Sequence, residues 1–335
     1  MNKYFINNRG VALILVLMVI AIIVVVALDF NSDMRSDFTA AANVRDGITL
    51  RYVAKSGFNC ALAVLAEDAE DNEYDTLQED WANIALMSAG ASTLEGFEGI
   101  RIAVNISDCS GKIQINSLGN INSSVVTRQK DLLQRFFSLP AFDIDSDTVT
   151  AMVDSIKDWI DKDDEPTGLE GAEDSYYQSQ EPSYRCNNGP VQTIASLRKV
   201  RGFKDIEQKT FNKIVERLTP YGDGKININT TDRLILEALA EGMDAELAEE
   251  IDDYRREEEN DLSDLLWYTN VPGMGDIRID EDLITTESAF FEISSDAGIA
   301  VEEGKDSLTK HVKGCVERVK REGKKGIDVL CWRVE

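Results

Sequence analysis

Apolar residues occupy positions 11–28 without interruption, and none of these 18 side chains is charged or polar. A membrane-spanning helix needs about 20 such residues, whereas the apolar part of a cleaved secretion signal has about 7–15. Lys3 and Arg9 precede the run, and Asp29 and Asp33 follow it. Because basic flanks stay on the cytoplasmic side, the pattern predicts one membrane span with a cytoplasmic N-terminus and the bulk of the chain outside.

The apolar pattern continues past this run with the 3.6-residue period of an α-helix. The positions that carry it are Phe30, Met34, Phe38, Ala41, Ala42, Ile48, Val53, Ala54, Phe58, Ala61, Leu62 and Leu65. Only Gly47 and Gly57 interrupt it. The pattern predicts one long helix that reaches about Glu67, with an amphipathic second half that packs on a globular domain.

Strand-like and helical segments follow in a clear order. Residues 97–106 (FEGIRIAVNI) and 112–118 (KIQINSL) have strand patterns, residues 122–285 have mostly helical spacing, and the segments after residue 286 return to strands. The last two strands form a hairpin around residues 321–326 (REGKKG). This order predicts an α+β protein in which a long N-terminal helix and an antiparallel sheet are interrupted by a large inserted all-α domain.

These boundaries divide the chain into five predicted parts. They are a leader (1–10), a transmembrane and assembly helix (11–28), the remainder of the long helix with the first strands (29–121), the inserted α-helical domain (122–285) and the C-terminal strands that complete the sheet (286–335). The insertion is expected to leave and rejoin the sheet at nearby points.

The composition narrows the classes of function. The 335 residues carry a net charge of −26 and the sequence pI is about 4.4, and so acidic a surface repels phosphate backbones. The single histidine, His311, cannot build a multi-histidine metal site, and no two of the five cysteines have the C-x-x-C spacing. No carboxylate pair has a positioned catalytic partner. We therefore expect neither an enzyme nor a nucleic-acid-binding protein.

One acidic segment has the chemistry of a calcium site. Residues 161–174 (DKDDEPTGLEGAED) hold seven acidic residues and one lysine, and their glycines and proline predict a loop. Calcium prefers six to eight oxygen ligands, which dense carboxylates supply. The segment is not an EF-hand, because Pro166 and Ala172 stand where that motif needs glycine and glutamate.

The segment is therefore either a solvated acidic turn or a calcium site of another type. In the second case the proposed ligands are Asp161, Asp163, Glu173 and Asp174. The first two directly follow a predicted helix, and glycines before the last two let the chain fold back.

Two cysteines lie at matching positions in the predicted final hairpin. Cys315 and Cys331 are almost equally distant from its centre, and such positions face each other across antiparallel strands. A disulfide between them needs a permissive backbone geometry. A cross-strand disulfide and two free thiols both remain open.

The junction of the leader and the apolar run resembles that of type IV pilins. In such proteins a prepilin peptidase cuts after the glycine, here between Gly10 and Val11, and the apolar helix is retained as the filament core. Pilin-like proteins usually have glutamate at the fifth mature position, where this chain has Leu15. A subunit at the filament tip has no predecessor whose terminal amine could pair with that glutamate, so Leu15 fits a tip subunit.

Five further segments extend the resemblance over nearly the whole chain. They are DCSGKIQINSL, DSIKDWIDKDDEPTGLEGAEDSYY, NNGPVQTIASLRKVRGF, YGDGKININTTDRL and SAFFEIS. Together with the pilin-like helix, they resemble the K-type minor pseudopilin of the type II secretion system, general secretion pathway protein K.

This resemblance implies a structural subunit that caps the periplasmic pseudopilus of Gram-negative bacteria and supports protein export across the outer membrane. The implied partners are the I-type and J-type minor pseudopilins and the prepilin peptidase. The resemblance also implies methylation, a single pass through the inner membrane with a periplasmic bulk, and calcium as a bound ion.

A membrane-anchored helix-hairpin-helix protein for DNA binding or uptake is the alternative. Residues 197–203 (LRKVRGF), and residues 228–239 together with 271–275, look like such hairpins, whose glycine-bounded loops offer backbone amides to phosphate. The acidic surroundings of the second copy argue against this alternative, because nothing there neutralises the repulsion of phosphates.

Overall fold

The computed structural model of the protein describes residues 9–71, 73–89, 99–299, 308–321 and 324–335. The helices in these ranges are α1 (Arg9–Asp71), α2 (Ile84–Ala89), α3 (Ser123–Phe137), α4 (Ser146–Ile160), α5 (Asp174–Gln178), α6 (Gln208–Val215), α7 (Arg233–Leu239) and α8 (Ala245–Arg256). The strands are β1 (Ile100–Asp108), β2 (Ile113–Gln114), β3 (Leu218–Thr219), β4 (Ile226–Asn227), β5 (Ile284–Thr285), β6 (Phe290–Ile299), β7 (Leu308–Arg321) and β8 (Lys324–Val334). Short 3-10 helices span Ile115–Gly119, Ile194–Lys199, Trp267–Asn270 and Met274–Asp276.

Helix α1 has two halves in different surroundings. Its side chains from Gly10 to residue 49 are mostly exposed, whereas its last two dozen residues bury one face. The buried positions are Leu50, Val53, Ala54, Phe58, Ala61, Leu65 and Ala69. Gly57 lies where the helix comes closest to the sheet, because a Cβ there would stand 2.3 Å from Ser295 Oγ. The predicted single long helix is confirmed, and it ends at Asp71 rather than near Glu67.

The second half of α1 packs on a four-stranded antiparallel sheet with the order β1-β6-β7-β8. Alternate residues of β6 point into the shared core, and Phe291 and Ile293 are fully buried there. Trp81 packs edge-to-face on Phe291, with 5.3 Å between the ring centroids. The first strand begins at Ile100, and residues 97–98 of the predicted strand lie outside the described residues. The predicted α+β fold, a long helix on an antiparallel sheet, is confirmed.

The region from Ile113 to Ile284 is mainly helical and has a hydrophobic core of its own. Four of its helices, α3, α4, α7 and α8, start at side-chain caps. Before α3, for example, Asn122 accepts a hydrogen bond from the Ser124 N–H, and before α4 Asp145 accepts one from the Thr148 N–H. The parallel pairs β2–β3 and β4–β5 tie its segments together.

The segment 112–118 differs from its prediction as the second strand of the main sheet. Only Ile113 and Gln114 are extended, and they pair with β3 inside the helical region before the chain turns into a 3-10 helix. Gln114 is buried together with Ile113 and Ile115, so both faces of the segment are covered. The alternation of apolar and polar residues therefore does not mark a strand with one solvated face. The core of the helical region begins at Ile113, earlier than the predicted boundary at residue 122.

A buried polar network joins the two cores. Asp108, at the end of β1, accepts hydrogen bonds from Ser288 Oγ at 2.6 Å and from Thr230 Oγ1 at 2.5 Å. Asn227 Nδ2 donates to Ser288 Oγ at 2.7 Å. Burial raises the pKa of Asp108 to about 6. Buried polar groups are costly unless they are paired, so these hydrogen bonds fix how the helical region meets the sheet.

Candidate metal centre and the exposed helix

The acidic loop after α4 brings three of its carboxylates together. Oxygen atoms of Asp161, Asp163 and Glu173, one from each residue, all lie within 4.8 Å of one another. Asp161 directly follows the last residue of α4, and Glu173 directly precedes α5. The two helices thus hold both ends of the loop. We call these three residues the loop cluster.

Glu173 is the most unusual member of the loop cluster. Its side chain is only 2% exposed, and neither carboxylate oxygen has a hydrogen-bond partner among the described residues. Burial, followed by the negative charges of Asp158 and Asp161, raises the pKa of Glu173 to about 7. A buried, unpartnered carboxylate is costly, and a bound cation is one of the few ways to satisfy it.

The other two members are only partly satisfied. Asp161 Oδ2 is 3.2 Å from Lys157 Nζ, while its Oδ1 is buried without a partner among the described residues. Burial raises the pKa of Asp161, against the lowering effect of Lys157. Asp163 is exposed, and its Oδ1 accepts a hydrogen bond from the Glu165 N–H at 3.0 Å. Each therefore retains a carboxylate oxygen that is available as a ligand for a hard cation.

The fold-back of the loop depends on Asp158, which the sequence reasoning missed. This residue of α4 is fully buried, and both of its carboxylate oxygens accept the Thr167 N–H, at 3.0 and 3.1 Å. At Gly171 an added Cβ would lie 2.3 Å from Asp158 Oδ2, so the chain passes closely over this carboxylate. The glycine makes that approach sterically feasible. Asp158 positions the loop that carries Glu173.

Asp174, the fourth predicted ligand, does not join the loop cluster. Its Oδ1 accepts a hydrogen bond from the Cys186 N–H at 2.7 Å, and its Oδ2 accepts one from Gln178 Nε2 at 3.0 Å. As the first residue of α5, it directs its side chain to the incoming chain at Cys186 instead of to Glu173. Adjacent residues at a helix start point in different directions, so the sequence pair Glu173-Asp174 does not place two carboxylates at one site.

Asn188 contacts the acidic loop and has an unsatisfied oxygen, which the sequence did not indicate. Its Nδ2 lies 3.4 Å from Asp164 Oδ1, and its own Oδ1 is buried without a partner among the described residues. The backbone of Asn188 has a φ of 44°, a region in which asparagine is one of the favoured residues. The signal in the sequence is weak, because the residue lies beyond α5 in a segment without acidic character.

The N-terminal half of α1 is the second functional feature. Within the described residues, this is the one helix long and apolar enough to cross a membrane, and its most apolar window has a mean hydropathy of 3.7 with no buried residue. Gly10 and Val11, the predicted cleavage site, lie in the first turns of α1 and are exposed. Residues 1–8 of the predicted leader lie outside the described residues. Cleavage at this site remains a prediction.

Cys315 and Cys331 face each other across β7 and β8. A β-bulge follows Cys315 in this ladder, and it brings the two residues into opposite positions. Both are free thiols in this structure, and Tyr221 Oη lies 3.4 Å from Cys331 Sγ. Burial raises the pKa of Cys315 to about 12. The strand positions allow a disulfide, which remains a prediction.

Cations in the two hairpin-like segments contact protein groups. Arg198 donates to the carbonyl oxygens of Phe203 and Ile206, each at 2.9 Å. Arg233, in the second segment, pairs with Asp252 and Glu249 at 2.8 Å each. Because these arginines satisfy groups of the fold, their presence gives no support to the DNA-binding alternative.

Comparisons with known proteins agree with this architecture. The family model described as type II secretion system, protein K matches residues 111–221. The chain is 30% identical over 218 residues to a protein K of Escherichia coli K12, with 64% of this chain and 62% of the relative covered. It is 29% identical over 271 residues to the type II secretion system protein K of Pseudomonas aeruginosa, with 75% and 74% covered.

The fold also matches a solved structure. The chain aligns with a chain of the GspK-GspI-GspJ complex from the enterotoxigenic Escherichia coli type 2 secretion system, with a TM-score of 0.68 and 20% identity. The alignment covers 87% of this chain and 97% of the other. The matched family segment contains the whole acidic loop, and the structural match spans both cores. In sequence the chain resembles protein K of the type II secretion system, and its fold is that of a chain in the GspK-GspI-GspJ complex.

Proposed function

We propose that this protein is the tip subunit of a type II secretion pseudopilus and supports protein export across the outer membrane. The observation that carries the tip position is Leu15, which replaces the glutamate usual at the fifth position after the leader. A carboxylate in an apolar filament core is tolerable only when a preceding subunit offers a charge partner. A subunit without a predecessor needs no such carboxylate.

The exposed half of α1 supports the same proposal. Every large apolar side chain between Val11 and Leu28 is at least half exposed in the isolated chain, so this segment requires an apolar environment. The inner membrane supplies one before assembly, with the N-terminus cytoplasmic and the bulk periplasmic. The neighbouring helices of a filament supply another afterwards. The proposed role is structural and non-enzymatic.

The proposed partners are the I-type and J-type minor pseudopilins, and a prepilin peptidase that cuts between Gly10 and Val11, with methylation of the processed chain. The decisive experiment is co-purification of the full chain, extracted in detergent, with the I-type and J-type proteins. Mass spectrometry of the same sample should find a chain that begins at Val11. A chain that still begins at Met1, or that recruits neither partner, would contradict the proposal.

The tip position has its own test. Leu15→Glu should not improve secretion and should not move the protein into the filament shaft, because a tip subunit has no preceding amine to neutralise the new charge. Leu15→Gln, which is polar but uncharged, is the matched control. Improved secretion by Leu15→Glu alone would exclude the tip position.

We further propose that the loop cluster binds one calcium ion. Glu173 supplies buried oxygens that lack any other partner among the described residues, and Asp161 and Asp163 supply the remaining carboxylates. Lys157 leaves Asp161 Oδ1 available, so the pair does not neutralise the cluster. Calcium titration of the full chain in a calorimeter, with Glu173→Gln as the ligand-deficient variant and Asp174→Asn as the control, measures this directly.

A further inference from the structure

The free edge of the main sheet is the surface that the proposed function leaves unexplained. Strand β8 spans Lys324–Val334, and within the described residues it pairs with β7 alone. The other edge of the sheet, β1, is partly covered because α2 lies against it. One edge of an 11-residue strand therefore presents backbone donors and acceptors to solvent.

The side chains on this edge are unusually apolar for an exposed strand. Residues 327–332 read IDVLCW, with one charge and no proline. Val329, Leu330 and Trp332 are 45%, 40% and 52% exposed, and Cys331 between them is also exposed. Leu330 is the extra residue of the β-bulge, since Val329 pairs with Val316 and Cys331 with Cys315, so the strand bends here and neighbouring side chains are exposed together.

Soluble proteins usually protect such an edge with prolines, lysines, β-bulges or a covering element, because an open apolar edge pairs with other strands. Strand β8 has the bulge at Leu330, but within the described residues no element pairs with this edge on either side of the bulge. Here the basic residues stand at the two ends of the apolar stretch, with Lys324 before it and Arg333 after it. They leave its centre open. A protected edge would keep the protein from pairing with other chains, whereas an edge with an open centre between charged ends suits pairing with a specific partner strand.

The charge of the hairpin indicates what kind of strand would pair with it. Residues 308–335 contain eight Lys and Arg against four Asp and Glu, a net charge of +4, while the other residues sum to −30. Helix α1 adds one more positive charge beside β8, because Lys55 Nζ lies 4.9 Å from the centre of the Trp332 ring. Arg318 and Lys313 pair with carboxylates outside the hairpin, but six cations still face its four carboxylates. Such an apolar and basic hairpin on an acidic protein is complementary to an acidic strand.

We propose that β8 is a docking edge on which one of the partner minor pseudopilins adds an extended, acidic strand to the sheet. This inference rests on the proposed function, because it names the surface used in that assembly. Main-chain hydrogen bonds along β8 would hold the added strand, and Val329, Leu330 and Trp332 would contact its side chains. Lys55 and Arg333 would select for its negative charge, with Arg333 exchanging its exposed ion pair with Glu335 for one with the added strand.

Hydrogen exchange on the co-purified complex tests the docking edge. The full chain is compared in detergent alone and together with the I-type and J-type proteins. The amides of residues 327–334 should gain protection in the complex. A complex whose β8 amides exchange as fast as in the free chain overturns the inference but leaves the proposed function intact. If the wild type recruits neither partner, both fail.

Two matched substitutions separate edge pairing from general surface effects. Leu330→Lys places a charge in the open centre of the edge and should weaken partner binding by about tenfold or more, as for a central interface residue. Leu86→Lys makes the same change at a 77% exposed leucine of α2 and should not affect binding. Equal binding by both variants, or self-association of the wild type through β8, contradicts the inference.

Charge reversal tests the acidic character of the added strand. Arg333→Glu combined with Lys55→Glu should weaken binding and remove most of its dependence on salt. Lys209→Glu combined with Lys213→Glu, both on the exposed surface of α6, is the control with the same charge change and should bind as the wild type does. If the double variant binds as tightly as the wild type, the partner strand is not acidic.

Discussion

Two groups of three carboxylates in this protein have the same geometry but different surroundings. One is the loop cluster, Asp161, Asp163 and Glu173, and the other consists of Asp68, Asp75 and Glu79 near the joint between the two cores. We call the second group the joint cluster. In each, one oxygen per residue lies within 4.8 Å of the others. By distance alone, both would be metal sites.

The joint cluster already contains a protein cation. The Arg318 guanidinium contacts the carboxylates of both Asp68 and Asp75, and it lies 4.5 Å from the Phe291 ring centre. Glu79 accepts hydrogen bonds from Trp81 Nε1 at 2.6 Å and from the Thr76 N–H at 3.0 Å. The joint cluster therefore stabilises the fold without a metal.

The loop cluster has no equivalent of Arg318 among the described residues. Lys157 reaches Asp161 and also donates to Thr167 Oγ1 at 3.0 Å, whereas both oxygens of Glu173 are left without a partner. The comparison shows that the closeness of carboxylates does not define a cation site. The number of their oxygens that the protein itself fails to satisfy is the better criterion.

The largest effect is expected when the protein cation of the joint cluster is removed. Arg318→Met should lower the free energy of unfolding by about 3–5 kcal/mol, because it removes the positive charge that faces the buried Asp75 and the partly buried Asp68. Denaturant unfolding of the full chain in detergent measures it, with Arg321→Met as the control. Arg321 pairs with Asp328 at an exposed position, where a loss of at most about 1 kcal/mol is expected.

The same variant tests whether the two clusters differ in their ability to bind a metal ion. If millimolar calcium restores the stability of Arg318→Met, the joint cluster is also a latent metal site. In that case the protein cation only competes with a metal ion. We expect no such rescue, because Asp75 and Glu79 already accept hydrogen bonds from Ser288 and Trp81.

The second prediction concerns the loop cluster. Calcium at one hundred times its dissociation constant should raise the free energy of unfolding by about 2.7 kcal/mol, since it binds only the folded chain. Thermal melting with chelator and with calcium measures the shift. Glu173→Gln should abolish the shift, and Glu79→Gln, the same substitution in the joint cluster, should keep it. An identical melting temperature of the wild type in both buffers would reduce the loop to a solvated turn.

Local sequence patterns predicted much of this fold. The long helix and the final hairpin could be read from periodicity, because each element is defined by neighbours in sequence. The assignment of residues 112–118 failed, since alternation cannot show that both faces of a segment are covered. Of the four acidic residues proposed from the acidic loop, the structure brings three carboxylates together but not that of Asp174, whose direction depends on the start of α5. That these carboxylates bind calcium stays a prediction.

Nothing local in the sequence distinguishes the two carboxylate clusters. Arg318 is 243 residues from Asp75, so the pair exists only through the packing of β7 against the chain that follows α1. The sequence also does not show that Glu173 lacks hydrogen-bond partners, because the burial of this glutamate depends on Asp158 and on the fold-back at Gly171. The sequence shows which acidic residues are present, whereas the fold determines which of their oxygens remain unsatisfied.

The third prediction uses pH to sharpen the comparison. The pKa of both Glu173 and Glu79 is raised from 4.5 to about 7, mainly by burial. The folded chain therefore binds protons that the unfolded chain releases, and in chelator the stability should fall as the pH rises from about 4.5 to about 7. Calcium should remove the part of this pH dependence of stability that comes from Glu173, because the ion binds the deprotonated carboxylate.

The affinity for calcium should accordingly fall when the pH is lowered below about 7, approaching about tenfold per pH unit as protons compete for Glu173. Calorimetric titration between pH 5.5 and 8 measures this dependence. Glu79→Gln, which alters the joint cluster alone, should leave the slope of the affinity against pH unchanged. An affinity that is flat over this range would show that Glu173 is not a ligand.

The smallest effect is expected at Asp174, and it tests the boundary of the loop cluster. Asp174→Asn keeps the oxygen that accepts the Cys186 N–H, and it loses the charge and the exposed hydrogen bond from Gln178 Nε2. The free energy of unfolding should change by less than about 1 kcal/mol, because the hydrogen bond remains with a neutral acceptor. The calcium-dependent shift in melting temperature should equal that of the wild type, since this carboxylate is directed away from Glu173. Asp163→Asn, which makes the same change within the cluster, should weaken the shift. If Asp174→Asn weakened it as much as Asp163→Asn does, Asp174 would have to turn toward the ion on binding, and the four-ligand site expected from the sequence would replace the three-carboxylate site.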